Sequence, residues 1–261
     1  MHPFSVQLLI HRLEFLRFHW PEIHRNLQPV GILLLVTGFQ VKESYFTPET
    51  IESKALEMRQ QVTNTRRRRS SQFTPERSAL LLLDMQFYFI DEGSHAFVPS
   101  SRGIIPGLQE LARAYASKGL PIIFTRHLNT PQDAAMMAQW WSEVITPGNP
   151  SSQIVPDFDQ TMGIVIVKTQ YDAFYKTDLE SILRGKGVAQ VVICGLMTHL
   201  CCETTARSAF VRGFEVFFPI DGTATYNETY HMASLLNLAH GFATPVLLRE
   251  ILSAVREANG S

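Results

Sequence analysis

The stretch AQVVICGLMTHLCCETTARSAFVRGFEVFFPID, residues 189–221, contains two apolar runs separated by a segment whose apolar residues have helical spacing. Each run is apolar throughout, which is typical of strands buried on both faces of a parallel sheet. Between the runs, Ala206 and Ala209 lie on one side of a predicted helix that ends before Gly213. A strand, a helix and a second strand in this order predict a right-handed crossover between parallel strands.

The same alternation of apolar runs and helical segments extends through most of the chain. Further apolar runs occur at 78–86, 120–127, 163–170 and 244–248, and helical segments occur at 106–119, 178–187 and 230–241. Six strands alternating with helices predict an α/β domain of three layers, αβα, with a mostly parallel, about six-stranded sheet. We expect this domain to span residues 76–255.

Residues 1–75 lack this alternation, and we expect them to form an N-terminal extension. Within it, TPETIESKALEMRQQV at 47–62 predicts a helix near 48–63, because Pro48 suits a first helical turn and an apolar stripe follows. The stripe consists of Ile51, Ala55, Met58 and Val62. Such a stripe predicts that the helix packs on the domain or on a neighbouring subunit.

Charge and composition narrow the class of function. The net charge of -1 and the pI near 6.8 indicate no general attraction for nucleic acid or for an anionic membrane, so we expect a small-molecule substrate. The basic run at 66–69 is typical of a solvated linker, with a nucleic-acid-binding arm as the alternative. The apolar run at 30–36 is too short to cross a bilayer, which takes about 20 residues. Three cysteines cannot form a disulfide framework, which favours a cytoplasmic location.

Polar side chains follow three of the predicted strands at the points where these strands end. Asp84 and Lys168 each end an apolar run, and Cys201 follows another at the start of a helix. Ligands of open parallel sheets bind beyond the carboxyl ends of the strands. Each residue also has a purely structural interpretation: Asp84 as a helix cap, Lys168 as a surface lysine and Cys201 as a buried packing residue. Their occurrence together at one sheet edge favours a single functional site.

An acid, an amine and a thiol at one edge predict nucleophilic catalysis. A nearby lysine and a helix N-terminus lower the pKa of a thiol, so we expect this for Cys201. A carboxylate such as that of Asp84 accepts the thiol proton and returns it to a leaving amine, while Lys168 balances the charge. The backbone amides of the turn at 196–201 are candidates for stabilising an oxyanion.

Three ordered motifs resemble the isochorismatase-like cysteine hydrolase superfamily, which includes nicotinamidases, N-carbamoyl amidohydrolases and isochorismatase. They are LLLLDMQFYF at 80–89, VKTQYDAFYKTDLESIL at 167–183 and GLMTHLCCETTARSAFVRGFEVFFPIDGTAT at 195–225. The resemblance covers residues 78–252. It implies a cysteine hydrolase that cleaves a C–N bond of a small amide, carbamoyl or ureido compound through a thioester.

The resemblance also assigns roles to individual residues. It implies a catalytic triad of Asp84, Lys168 and Cys201, since the family pattern G-x-x-T-x-x-C places the nucleophile at the seventh position. Cys202 is then expected to serve in packing. The family's cis peptide bond falls between residues 196 and 197 here. The backbone amides of Met197 and Cys201 are then the expected oxyanion hole.

Nicotinamidases of this family bind a metal through an Asp-x-His motif that this chain lacks. The corresponding stretch is FTRHLN at 124–129, with no acid two residues before His127. His231 and His240 lie nine positions apart on a predicted helix, which is a poor ligand spacing. We therefore expect no metal and no other cofactor.

Two departures from the isochorismatase pattern favour amide hydrolysis. Isochorismatases cleave a vinyl ether and have a small residue at the nucleophile position, where this chain has Cys201. They also have an arginine seven residues before a tryptophan, where PQDAAMMAQWW at 131–141 has Ala134. A vinyl-ether hydrolase and a non-catalytic, partner-binding member of the same fold are the alternatives.

The substrate pocket and the assembly state complete the expectations. The residues that we expect around the substrate are Phe89, His127, Trp141, Tyr171, Phe174 and His199. The family resemblance implies a homo-oligomer, either a dimer or a tetramer.

Overall fold

The computed structural model describes residues 41–63, 72–141 and 143–258. The apolar run at 30–36 and the basic run at 66–69 lie outside the described residues. The compact unit that contains the sheet begins at Val41, so the described residues 41–63 pack with the domain. The predicted division into an N-terminal extension, residues 1–75, and a domain, residues 76–255, stays a prediction.

The centre of the fold is a seven-stranded sheet in which every strand pairing is parallel. The strands are β1 (Ser78–Leu83), β2 (Ile122–His127), β3 (Ile164–Lys168), β4 (Gln190–Leu196), β5 (Glu215–Pro219), β6 (Thr223–Ala224) and β7 (Thr244–Val246). Their order is β3-β2-β1-β4-β5-β7, and β6 pairs with β4. The six predicted strands are all present. The additional strand, β6, has two residues, which is too short for a hydrophobic pattern to predict.

Helices cover both faces of the sheet, as the three-layer prediction requires. They are α1 (Ile51–Thr63), α2 (Phe87–Ile90), α3 (Ser101–Ser117), α4 (Met137–Trp140), α5 (Leu179–Gly185), α6 (Glu203–Val211), α7 (Glu228–Gly241) and α8 (Leu248–Glu257). A π-helical turn, Thr198–Cys202, connects β4 to α6. Among the described residues, no helix combines the length and the apolarity needed to cross a membrane.

Burial differs between the centre and one edge of the sheet. Every residue of β1 and β4 is buried, as expected for strands covered on both faces. The same expectation is wrong for β3, where the side chains of Val165 and Val167 are 39% and 52% exposed. Because β3 is the last strand at its edge, one of its faces points toward solvent while Ile166 and Lys168 point inward.

The predicted N-terminal helix is present as α1 and packs on its own domain. The stripe residues Ala55, Met58 and Val62 are buried. Lys54 forms an ion pair of 2.6 Å with Glu228 at the start of α7. Packing on a neighbouring subunit stays a prediction.

The sheet register places the carboxyl ends of β1 and β4 side by side, and likewise those of β2 and β3. Leu83 at the end of β1 lies beside Gly195 of β4, and His127 at the end of β2 lies beside Lys168 of β3. Gly195 has a φ of +111°, and a Cβ atom there would lie 2.2 Å from the carbonyl oxygen of Leu83. Only glycine permits this approach of β1 to β4, and the polar residues that follow the strands therefore meet in one place.

Candidate active site

Asp84, Lys168 and Cys201 contact one another at the carboxyl edge of the sheet. Lys168 Nζ lies 2.8 Å from Asp84 Oδ2 and 3.3 Å from Cys201 Sγ. The three residues are 0%, 1% and 4% exposed, respectively. The fold thus brings the acid, the amine and the thiol into one buried cluster.

Asp84 is oriented by the turn that follows β1 and by a hydroxyl group. Its φ is +52°, in the left-handed region that Asp tolerates better than most residues. Thr125 Oγ1 accepts a hydrogen bond of 3.1 Å from the Asp84 backbone N–H and donates one of 2.6 Å to Asp84 Oδ1. Asp84 Oδ1 is thereby engaged, and Oδ2 is the carboxylate oxygen that faces Lys168.

Lys168 ends β3 with its ammonium group among four acceptors. Besides Asp84 and Cys201, Nζ lies 2.9 Å from the carbonyl oxygen of Gln170 and 3.2 Å from Nδ1 of His127. The ammonium group only donates, so Nδ1 of His127 accepts and its Nε2–H donates to Asn129 Oδ1 at 2.8 Å. Burial, followed by the charge of Lys168, lowers the pKa of His127 to about 4, so this histidine is neutral at pH 7.

The donor set around Lys168 does not suit a metal ion. Single ligand atoms of Asp84, His127 and Cys201 lie within 4.8 Å of one another, a separation that a metal ion can bridge. However, the Lys168 ammonium group already contacts all three residues, and both ring nitrogens of His127 are engaged in hydrogen bonds. A second cation there would be repelled by Lys168. The expected absence of a metal stays a prediction that this arrangement supports.

The pKa of each group follows from burial and from its neighbours' charges. Burial alone would raise the pKa of Asp84, but Lys168 holds it below its ordinary value. Burial alone would lower the pKa of Lys168, but Asp84 raises it above its ordinary value. Both groups are therefore ionised at neutral pH and form a buried ion pair.

The expected lowering of the Cys201 pKa is wrong. Burial and then the charge of Asp84 raise the pKa of this thiol, and the opposing effect of Lys168 is smaller. The physical reason is that Asp84 already neutralises Lys168, so little positive charge is left to stabilise a thiolate. The resting site holds a protonated thiol beside an ionised carboxylate.

The turn that carries Cys201 has the predicted cis peptide bond, between Leu196 and Met197. The backbone N–H groups of Leu200 and Cys202 donate to the carbonyl oxygen of Met197, at 3.1 and 3.2 Å. An oxyanion hole formed by the amides of Met197 and Cys201 stays a prediction. Cys202 is fully buried within the hydrophobic core, in keeping with a packing role.

A small cavity opens beside Cys201. The described residues that line it are Tyr88, Phe89, His127, Asn129, Met137, Trp141, Glu143, Val144, Ile145, Tyr171, Met197, Leu200 and Cys201. Four of the expected pocket residues, Phe89, His127, Trp141 and Tyr171, are among them. The indole N–H of Trp141 donates to the Tyr171 hydroxyl at 2.9 Å, which joins two walls of the cavity.

Phe174 and His199, which were also expected in the pocket, are not among the described residues that line it. Phe174 stacks on Phe214, with ring centroids 5.9 Å apart. His199 stacks on Tyr230 at 4.7 Å, and its Nδ1 lies 2.6 Å from Thr225 Oγ1. Both residues are near site residues in sequence, but their rings pack on Phe214 and Tyr230, respectively.

Sequence reasoning missed Asn129 and Glu143 as lining residues. Asn129 is two positions beyond the end of β2, and its Nδ2 donates to the carbonyl oxygen of Thr169 at 2.9 Å. Its place beyond a strand end was a signal of the kind used for Asp84. Glu143 lies in an irregular segment, where periodicity carries no signal.

Comparison with known proteins places these features in a family. A model described as the isochorismatase domain matches residues 78–250. Nicotinamidase 3 of Arabidopsis thaliana is 42% identical over 171 residues, which are 64% of this chain and 82% of that protein. Enterobactin synthase component B of Escherichia coli strain K12 is 30% identical over 188 residues, which are 70% of this chain and 65% of that protein.

Solved structures have the same fold. A cysteine hydrolase from Pseudomonas syringae pv. phaseolicola 1448A superposes with a TM-score of 0.68 at 24% identity, covering 72% of this chain and 96% of that one. The pyrazinamidase of Pyrococcus horikoshii, solved in complex with zinc, has a TM-score of 0.59 at 28% identity and covers 66% and 99%.

Proposed function

This chain belongs to the isochorismatase-like cysteine hydrolase superfamily, and from that premise we propose that it cleaves a C–N bond of a small amide, carbamoyl or ureido compound through a thioester. The observation that carries the proposal is the buried contact of Cys201, Asp84 and Lys168 beside the cavity. A thiol, a base and a fixed cation at the wall of a small pocket are the groups that acyl transfer requires.

The proposed reaction begins with attack of Cys201 Sγ on the substrate carbonyl carbon. Asp84 takes the thiol proton as the S–C bond forms, because the resting thiol is protonated and the carboxylate is ionised. The carbonyl oxygen gains the negative charge, and the backbone amides of Met197 and Cys201 donate to it. Lys168 remains an ammonium group throughout and balances the negative charge that passes between Asp84 and the substrate.

Collapse of the tetrahedral intermediate breaks the C–N bond. Asp84, now protonated, donates its proton to the leaving nitrogen, and ammonia or an amine departs. A water molecule then attacks the thioester while Asp84 again accepts a proton, and the acid is released as Cys201 regains its proton. Asp84 thus acts as base and as acid in alternation, and the remaining groups keep fixed charges.

The cavity favours a neutral and flat substrate. Aromatic rings form much of its lining, and Glu143 is the one formally charged side chain among the described residues that line it. An anionic substrate would meet no arginine or lysine on these described walls. The 42% identical plant relative is named a nicotinamidase, so nicotinamide is the first substrate that we propose to test.

Intact-protein mass spectrometry tests the proposal. We expect an acyl adduct and release of ammonia when the wild type is mixed with nicotinamide or with another member of a panel of amide, carbamoyl and ureido compounds. Both signals should vanish in Cys201→Ala and persist in the matched variant Cys202→Ala, since Cys202 is buried in the core.

Other outcomes, once isochorismate and iodoacetamide labelling are added to the experiment, favour the alternatives. Ammonia release that persists in Cys201→Ala would contradict the thioester route. Turnover of isochorismate alone would favour the vinyl-ether reaction. Absence of turnover together with absence of iodoacetamide labelling at Cys201 would favour a partner-binding role.

We further infer that the enzyme acts in the cytoplasm as a homo-oligomer. The support for a cytoplasmic place is the three free and buried cysteines, which form no disulfide. Light scattering of the full chain tests the assembly state, and a monomeric mass would contradict the oligomer.

A further inference from the structure

A short segment that precedes the family domain reaches the nucleophile turn. The family model begins at residue 78, whereas Tyr45 and Phe46 are only 6% and 0% exposed within the same compact unit. Phe46 packs edge-on against the ring of His231, with centroids 5.3 Å apart. Tyr45 and Phe46 are therefore built into the interior near α7, whereas residues 41–44 are exposed or half-buried.

The Tyr45 hydroxyl lies in a buried cluster of polar groups. It accepts a hydrogen bond of 2.9 Å from the backbone N–H of Thr225 and lies 3.1 Å from Nδ1 of His231. Thr198 Oγ1 lies 2.9 Å from the same nitrogen. Tyr45 and Thr198 are also close enough to hydrogen-bond to each other. The cluster thus connects the N-terminal segment to the first residue of the π-helical turn.

The direction of these hydrogen bonds follows from the other side of the His231 ring. Nε2 lies 3.1 Å from the carbonyl oxygen of Ile220, which can only accept, so Nε2 carries the hydrogen and Nδ1 is an acceptor. Burial lowers the pKa of His231 to about 3, and burial raises the pKa of Tyr45, so both are neutral near pH 7. The hydroxyl groups of Thr198 and Tyr45 therefore both lie within hydrogen-bond distance of one fixed acceptor, whose single lone pair takes a full hydrogen bond from one of them.

Thr198 is the residue through which this cluster acts on the site. It directly follows Met197 and precedes Cys201 by three positions in the π-helical turn. The Met197 carbonyl is held on one side by the N–H groups of Leu200 and Cys202. Anchoring the Thr198 hydroxyl adds a second restraint to the same turn, whose amides at Met197 and Cys201 are the expected oxyanion donors.

The segment 41–46 has further contacts that keep Tyr45 in place. The backbone N–H of Glu43 donates to the carbonyl oxygen of Tyr226 at 2.7 Å, and that of Phe46 donates to Ser100 Oγ at 3.1 Å. In α3, a Cβ atom at Gly103 would lie 2.8 Å from the carbonyl oxygen of Phe46. Helix α3 thus has glycine at position 103, where a larger residue would clash with the backbone of Phe46.

We propose that Tyr45 is a positioning residue, whose hydroxyl acts through His231 and Thr198 to hold the turn that carries Cys201. Residues 41–46 then belong to the active site, although they precede the family domain. The catalytic part of this inference rests on the proposed function. The geometric part concerns the folded turn alone and is measured without a substrate.

The test compares Tyr45→Phe with Tyr115→Phe. Tyr115 is fully buried, and its hydroxyl lies 2.8 Å from Ser78 Oγ, remote from the turn, so it controls for loss of a buried tyrosine hydroxyl. We expect Tyr45→Phe to lower kcat about tenfold with KM changed less than about twofold, since misdirected oxyanion donors affect the transition state more than substrate binding. Tyr115→Phe should lose stability and keep its kcat.

Two further measurements separate positioning from a general loss of structure. Alkylation of Cys201 by iodoacetamide develops no oxyanion, so its rate in Tyr45→Phe should stay within about twofold of the wild type. Thr198→Val should lower kcat as Tyr45→Phe does, whereas Thr198→Ser, which keeps the hydroxyl group, should have the wild-type kcat. The double variant Tyr45→Phe with Thr198→Val should have the same kcat as Thr198→Val alone. An additive loss in the double variant would overturn the proposal.

Hydrogen exchange tests whether Tyr45 holds the turn that carries Cys201, and this test needs no substrate. Peptides that cover residues 196–203 should exchange about tenfold faster in Tyr45→Phe than in the wild type and at the wild-type rate in Tyr115→Phe. Unchanged exchange in Tyr45→Phe would overturn the positioning role. A wild type that turns over no amide, with faster exchange in Tyr45→Phe, would count against the proposed function alone.

Discussion

The proton on Cys201 is the central chemical feature of the site. Lys168 lies 2.8 Å from Asp84 but 3.3 Å from the sulphur, so the carboxylate is the closer partner of the ammonium charge. Burial and the nearby carboxylate together favour the neutral thiol. A thiol of this kind reacts only as its proton is removed, which makes Asp84 the group on which the rate depends.

We predict that kcat/KM is constant between about pH 6 and about pH 9, because none of the four groups Asp84, His127, Lys168 and Cys201 titrates there. The pKa of Asp84 is lowered and that of His127 is about 4, which places the acid limb well below neutrality. The pKa values of Lys168 and Cys201 are raised, which places the alkaline limb above the ordinary thiol range. Steady-state rates across this interval provide the measurement. An ionisation near pH 7 in the profile would contradict the assignment of Asp84 as the base.

Removing one member of the buried ion pair should harm stability as well as activity. We predict that Lys168→Met lowers the free energy of unfolding by about 3 to 5 kcal/mol, because Asp84 is left buried and unpaired. The double variant Asp84→Asn with Lys168→Met, in which both groups are neutral, should regain part of this stability and remain inactive. Urea unfolding monitored by circular dichroism measures the change. Equal stability of the single and double variants would show that the pair is not electrostatically coupled.

The βα unit at the nucleophile depends on close contact between β1 and β4. Gly195 lies in β4 opposite Leu83, and its φ of +111° is one that side chains rarely allow. The contact brings the end of β1, which carries Asp84, beside the start of the turn that carries Cys201. The packing of β1 against β4 therefore also fixes the position of Asp84 relative to Cys201.

We predict that Gly195→Ala lowers the free energy of unfolding by more than about 3 kcal/mol, since the added methyl group would meet backbone atoms that cannot move away. The matched variant is Gly187→Ala, which has a φ of +69° and no heavy atom within 4 Å of the added Cβ. It should lose only about 1 kcal/mol from the unfavourable backbone conformation. Thermal unfolding of both variants gives the comparison, and losses of similar size would contradict the steric argument.

The edge of the sheet shows where hydrophobic pattern is a poor guide. The run at 163–170 is as apolar as the others, yet Val165 and Val167 in β3 are exposed. An apolar composition indicates that a segment is a strand, but it does not indicate whether a helix covers both faces of that strand. In β3 that depends on the position of the strand at the end of the sheet order.

Two buried histidines make the stability of the domain sensitive to acid. The pKa of His127 is about 4 and that of His231 is about 3, because burial disfavours their charged forms. In the unfolded chain both bind protons below about pH 6.5. Each therefore stabilises the fold fully above that pH, and its contribution is lost as the pH falls toward the folded-state pKa.

We predict that the free energy of unfolding falls by about 1.4 kcal/mol per pH unit for each of these histidines between about pH 6 and pH 4.5. Urea unfolding at several pH values in this interval measures the slope. His231→Asn should have a lower free energy of unfolding than the wild type at pH 7. Its free energy of unfolding should also fall less steeply with decreasing pH, by about 1.4 kcal/mol per pH unit, which is the contribution of one histidine. A free energy of unfolding that stays constant over the interval would show that both side chains accept a proton within the fold.

Several features of the molecule follow from local pattern alone. The alternation of apolar runs and helical segments specified the strands of the parallel sheet, apart from the two-residue β6, because burial leaves a periodic trace in neighbouring residues. The grouping of Asp84, Lys168 and Cys201 was also predictable, because the carboxyl ends of parallel strands lie at one edge of the sheet. The cis bond before Met197 followed from resemblance to a known motif and is present.

Other features depend on groups that are distant in sequence and meet only in the folded chain. Tyr45 and His231 are 186 positions apart, and Lys168 and Cys201 are 33 apart. The protonation of Cys201, the burial of Tyr45 and the packing of Phe174 on Phe214 and of His199 on Tyr230 were set by such encounters. The physical reason is that electrostatic energy and side-chain packing depend on distances in space, and local sequence encodes those distances only through the complete fold.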